Sequence, residues 1–141
     1  MSTEQNKGVV RQFITEVLAG GKVDLADELL APNYMNRAMG TDVAALKAML
    51  LGLAAALPDR RVEIEDLVAE GDAVVARSTT EMTDTTGKRI SFRGLTYYRL
   101  ADGRIVEDDP FTTSDWQQNL RSVAPDLMQE LGKLMPTPPP S

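Results

Sequence analysis

Residues 89–111 read RISFRGLTYYRLADGRIVEDDPF. Ile90, Phe92, Leu95, Tyr97, Tyr98 and Leu100 are the β-branched, aromatic and aliphatic residues of one strand, and Ile105 and Val106 continue the pattern in a second. Between them, Ala101-Asp102-Gly103 is a tight turn. Asp-Gly flanked by such runs is a strong hairpin signal, because Gly accepts φ > 0 without a Cβ clash. The second strand closes on three acids, Glu107, Asp108 and Asp109, and then Pro110, which has no N–H for a ladder. Acids at the end of a long apolar hairpin are where a pocket would place its chemistry.

Upstream of the hairpin the period is also 2. Val62 and Ile64 alternate with Glu63 and Glu65, with Leu67 near the end of the same run. Glu70-Gly71-Asp72 turns the chain into a further strand from Ala73 to Thr83. Further back the period is 3 to 4. Ser2 and Gln5 form a capping box for a first helix whose apolar face is Val9, Val10, Phe13, Ile14, Val17 and Leu18, and Gly20-Gly21 ends it. A short second helix runs from Asp24 to Leu30, followed by a brief extended piece, Tyr34-Met35-Asn36. Thr41 or Asp42 caps a third helix, with Val43, Leu46, Met49, Leu50, Leu53 and Leu57 facing the core. Downstream, Ser114 or Asp115 caps a short helix through Leu120, and Leu127, Leu131 and Leu134 suit a last helical turn or two. Three helices, a four-strand meander and a short helix predict an α+β fold: a cone-shaped, curved antiparallel sheet wrapped over N-terminal helices, its mouth open to a small molecule. Residues 1–135 form one domain, and the Pro-rich residues 136–141 a flexible tail.

Composition narrows the chemistry. A net charge of −6 opposes nucleic-acid binding, which needs a basic face. With no cysteine and no histidine, thiolate chemistry, imidazole metal sites and His-based triads are excluded; proton transfer falls to carboxylates, Tyr, Lys, Arg or water. No signal-peptide core and no membrane-length apolar run is present, so the expected location is cytoplasmic, with no membrane partner.

Two segments carry a family resemblance: VVRQFITEVLAGGKVDLADELLAPNYMN at 9–36 and FRGLTYYRLADGRIVE at 92–107. Together they resemble the SnoaL-like polyketide cyclase family of the nuclear-transport-factor-2-like superfamily. The resemblance implies a cone without metal or organic cofactor, paired into a homodimer through the outer face of the sheet, and a hydrophobic small-molecule substrate. It also implies activities such as acid–base cyclisation or isomerisation in polyketide tailoring. Alternatives are a limonene-epoxide-hydrolase-like enzyme, or a ligand binder without catalysis. The residues depart from both catalytic patterns. The His and Asp positions of the cyclases, counted from Gly94, are Thr96 and Pro110. In the epoxide-hydrolase pattern the water-holding pair matches Tyr34 and Asn36 and the Arg matches Arg77, but the two acids fall on Thr79 and Pro110.

Strand parity supplies substitutes. If Thr96 faces the pocket, so do Phe92, Gly94 and Tyr98; Arg77, Thr79 and Glu81 share a face; and Asp108 shares one with Val106 and Pro110 unless a bulge intervenes. The expected catalytic set is therefore Asp108, Glu81 and Arg77, with Tyr34, Asn36, Thr79, Phe92, Thr96 and Tyr98 as substrate-binding residues and no metal ligands. Plainer readings stand beside it: Arg77 and Glu81 as cross-strand partners at a wet edge, and the three acids as a solvated strand end.

Overall fold

The computed structural model describes residues 2–112 and 124–134. The expected helix capped by Ser114 or Asp115 and the tail at 136–141 lie outside the described residues. Helix α1 (Thr3–Gln12) opens with the Ser2–Gln5 capping box and runs on as a π-helical stretch, Phe13–Ala19, that ends at Gly20. Val10, Phe13, Ile14 and Val17 are buried along this helix. A 3₁₀ turn, Val23–Leu25, leads into α2 (Ala26–Leu29). Next come strand β1 (Leu30–Asn36), α3 (Val43–Ala56), β2 (Arg61–Glu70), β3 (Ala73–Thr83), β4 (Arg89–Ala101), β5 (Arg104–Thr112) and a closing helix, α4 (Pro125–Leu134). α4 rests on α3 at Gly52, where a Cβ would stand 2.6 Å from Leu127 Cδ1.

The sheet has five strands rather than the expected four, in the order β1-β5-β4-β3-β2. β1 is the correction: it begins at Leu30, inside the stretch expected to be helical, and it pairs parallel with β5. Pro32 hides it from a pattern reading because proline weakens any strand assignment. In the fold β1 is an edge strand, and its ladder breaks between Leu30 and Met35, around that proline. The other pairs are antiparallel.

Two bulges set which residues face inward. Between Ile64 and Asp66 the β2–β3 register shifts, and this brings Leu67 into the core out of step with Val62 and Ile64. Between Arg99 and Leu100 the β4–β5 register shifts as well: Leu100 faces Ile105, whereas Arg99 faces Glu107 and Tyr98 faces Asp108. The extra residue lets Ile105 and Asp108 both point inward although they are three apart. The turn itself has Asp102 at φ 53° and Gly103 at φ 77°, the geometry that matches the strands' twist.

Helices and concave sheet meet at Phe13, whose ring stands edge-on to Tyr98 with centroids 6.1 Å apart. Asp42 starts α3, its Oδ1 accepting from the Ala45 N–H at 2.9 Å. Asp42→Ala is expected to cost about 1 kcal/mol; urea unfolding in which the midpoint is unchanged would show that the cap contributes nothing.

Candidate functional site

Between α3 and the concave face of the sheet lies a cavity of about 240 Å³, near the roughly 300 Å³ lower end of small-molecule sites. Leu46, Leu50 and Leu53 form its helical wall; Thr80, Met82 and Phe92 form much of its sheet wall. Asp108, Asn36, Thr80, Thr96, Tyr98 and Arg60 supply polar groups to this mostly apolar lining.

Asp108 is only 5 % exposed. Its position follows from the β5 bulge and from its neighbours, Tyr98 on β4 and Asn36 on β1. The Tyr34 hydroxyl donates to Asp108 Oδ2 at 2.9 Å; Oδ1 has no donor among the described residues. Tyr34 stands behind the carboxylate and is not itself on the cavity wall. The β1 end carrying Tyr34 and Asn36 is held by the backbone: Arg37 N–H donates to the Asp108 carbonyl, and Asn36 N–H to the Thr41 carbonyl. Asn36 Oδ1 accepts from Met39 N–H at 2.9 Å, and the Asn36 side chain also hydrogen-bonds to Tyr34, which lowers that phenol's pKa against the other influences.

Burial dominates the electrostatics. It pushes the Asp108 carboxyl up to about 7; the Tyr34 hydrogen bond pulls it back and the charge of Asp109 adds to the rise. Burial and then the Asp108 charge hold both the Tyr34 and the Tyr98 phenols well above their ordinary value. A carboxyl near 7 is half ionised at neutral pH, where a general base works best. The tyrosines remain neutral donors.

The structure thus brings Asp108, Tyr34, Asn36, Phe92, Thr96 and Tyr98 together and leaves out Arg77, Thr79 and Glu81. Ala76 lies opposite Thr96, so Arg77, opposite the outward Leu95, faces away from the cavity. Directly opposed residues share a face; the inward set on β3 is Val74, Ala76, Ser78, Thr80 and Met82. On the outer face Arg77 meets Glu65 at 3.3 Å, the Thr79 hydroxyl donates to Glu65, and Glu81 is paired with Arg89 at 2.9 Å and Arg61 at 3.4 Å. The Arg89 and Arg61 hydrogen bonds lower the Glu81 pKa. These are solvent-facing contacts, and Arg77, Thr79 and Glu81 are not among the residues that line the cavity. Arg60, which pattern reading passed over, does line the cavity. It follows a helix-ending Pro-Asp, and no feature of the sequence sets it apart from Arg61. Among the described residues no group of three or more carboxylates gathers as a metal site, and no helix is long and apolar enough to cross a membrane.

A helix-backed, unclosed curved sheet with one buried acid among the described residues of its cavity defines a class of small cone-shaped domains. Residues 10–108 match the family model for the SnoaL-like domain, and the chain belongs to that family. Among solved structures, TsrD from Streptomyces laurentii is similar at 20 % identity and TM-score 0.73, over 88 % of this chain and 98 % of that one. A candidate polyketide cyclase from Acidithiobacillus ferrooxidans is similar at 27 % identity and TM-score 0.68, over 95 % and 99 %. A SnoaL-like polyketide cyclase from Agrobacterium tumefaciens is similar at 19 % identity and TM-score 0.71, over 85 % and 99 %. No curated protein matches the sequence.

Proposed function

We propose that the chain is a cofactor-independent acid–base enzyme that cyclises or isomerises a small hydrophobic ketone of the polyketide type, with Asp108 as its general base. The observation that carries this reading is a buried carboxyl, raised to about 7, with one oxygen held by Tyr34 and the other unclaimed beside an apolar cavity. In the step envisaged, Asp108 Oδ1 takes a proton from the carbon next to the ketone. The C–H electron pair moves into an enolate, whose oxygen the Asn36 amide or the Thr96 hydroxyl stabilises. The enolate carbon then bonds to a second carbonyl carbon, and the resulting alkoxide takes the proton back from Asp108. For isomerisation, the proton returns to a different carbon instead.

A second reading is favoured by one observation: Tyr34, Asn36 and Asp108 converge, as residues that hold a water for epoxide opening would. Against it, Arg77 and Thr79 lie on the outer face. The test for both is turnover of a panel of polycyclic ketones and epoxides by wild type and Asp108→Asn. Conversion of ketones supports the first reading and of epoxides the second. Binding without turnover leaves the cone as a ligand-binding scaffold.

We also propose that two copies pair through the outer face of the sheet. Leu95 and Phe111 are cross-strand neighbours there, Phe111 is 62 % exposed, and Val68 is exposed on the same face. Leu95→Glu is expected to turn a dimer into a monomer in sedimentation velocity. A wild-type monomer at micromolar concentration rules the pairing out.

A further inference from the structure

Arg60 is the part of the cavity wall that the proton chemistry leaves unused. It sits between the end of α3 and Arg61, the first residue of β2. Its Nη2 donates to the Leu18 carbonyl, one of the carbonyls left open where the first helix stops at Gly20. Other nearby cations are committed to carboxylates: Arg61 and Arg89 to Glu81, Arg77 to Glu65, Arg37 and Arg99 to Glu107. Asp59, the adjacent acid, is held by Thr83 and Arg89. Among the described residues Arg60 has no carboxylate partner, and it lines the same cavity as Asp108. Burial draws its pKa below the ordinary arginine value.

A guanidinium has five N–H donors in a planar fork that matches a carboxylate, and the Leu18 carbonyl engages only one nitrogen. A partly desolvated cation attracts an anion far more strongly than a surface arginine does, because little water screens it. Its place relative to the base is also defined. Asp108 faces Tyr98, near the turn end of β4, whereas Arg61 faces Glu81 and, one strand further, Ser91 near the other end. The residue that follows Arg60 therefore lies toward the opposite end of the sheet from Asp108, and Arg60 and Asp108 both line the cavity.

We propose that Arg60 is a specificity-determining residue that binds a carboxylate on the substrate, at the end remote from the carbon that Asp108 deprotonates. This deepens the acid–base reading and rests on it: the substrate is a small hydrophobic keto acid, not a neutral ketone.

The test is calorimetric binding of 2-naphthoate and of its methyl ester, as matched charged and neutral probes, at pH 8. Wild type is expected to prefer the acid by about tenfold or more, the scale of one charge-assisted hydrogen bond. Arg60→Gln loses that preference, and Arg60→Lys retains part of it. Asp108→Asn keeps or raises it, since a like charge leaves the cavity, so the preference and the base assignment fail separately: turnover that survives Asp108→Asn removes the base and leaves the acid-to-ester ratio standing. Wild type that does not favour the acid overturns the proposal. So does Arg60→Gln with the ratio unchanged, including the case in which only its melting temperature moves, the signature of a residue that merely caps the first helix.

Discussion

Asp108→Asn is expected to lower turnover by about 10²- to 10⁴-fold, the range for removing a positioned general base, while leaving affinity for substrate within a few fold. Asn keeps the side chain's shape and an oxygen for the Tyr34 hydroxyl, but it accepts no proton from carbon. The pH profile carries the sign. A base must be ionised, so wild-type turnover rises with pH, passes its midpoint near the folded-state value of about 7, and levels above it. Arg60 stays charged throughout this window. Tyr34→Phe shifts the profile in a defined direction: the hydroxyl bond favours the ionised carboxyl, so its loss moves the midpoint upward and slows the enzyme at pH 7. A flat profile between pH 5 and 9, or undiminished turnover in Asp108→Asn, removes Asp108 as the base. Chemistry would then have to be sought in the remaining polar groups of the cavity, Asn36, Arg60, Thr80, Thr96 and Tyr98.

The hairpin that organises the sheet was legible because its signals are local: an Asp-Gly turn and period-2 alternation in adjoining strands. β1 was not, because its partner β5 is distant in sequence and Pro32 breaks both its ladder and its pattern. The site divides along the same line. Phe92, Thr96 and Tyr98 lie on one strand, where a single parity choice places them all, and Asp108 joins them through the bulge between Arg99 and Leu100. Arg77, Thr79 and Glu81 sit one strand further away, and their face depends on the β3–β4 register, which no local pattern specifies. The usable signal was on the strand itself: Val74, Ala76 and Met82 are apolar or small, whereas the alternate set carries the charges. Choosing the apolar set as the inner face would have sent Arg77 outward. Arg60 had no such signal, since only the tertiary fold brings the end of α3 against the Leu18 carbonyl.

The same substitution, Asp108→Asn, is expected to stabilise the fold at alkaline pH, and this outcome needs no substrate. An unfolded aspartate titrates near 3.9, whereas in the fold burial raises Asp108 to about 7. Between those values the folded chain holds a proton that the unfolded chain has released. Stability therefore falls as pH rises through this window and is level above it, once both states are ionised. Relative to its value below pH 4, the loss approaches about 4 kcal/mol, three pH units at about 1.4 kcal/mol each. Asn carries no charge to desolvate and still accepts from Tyr34, so it escapes this loss. Thermal melts at pH 4 should place variant and wild type close together. At pH 8 the variant should melt about 10 °C higher, taking roughly 3 °C per kcal/mol for a chain of this size. A variant no more stable at pH 8 than at pH 4, relative to wild type, would mean that water or a counter-charge already compensates the carboxylate, and its raised pKa would be lost with it. A gain at pH 8 alone would instead identify Asp108 as a charge kept in the cavity at the expense of stability, as functional groups commonly are.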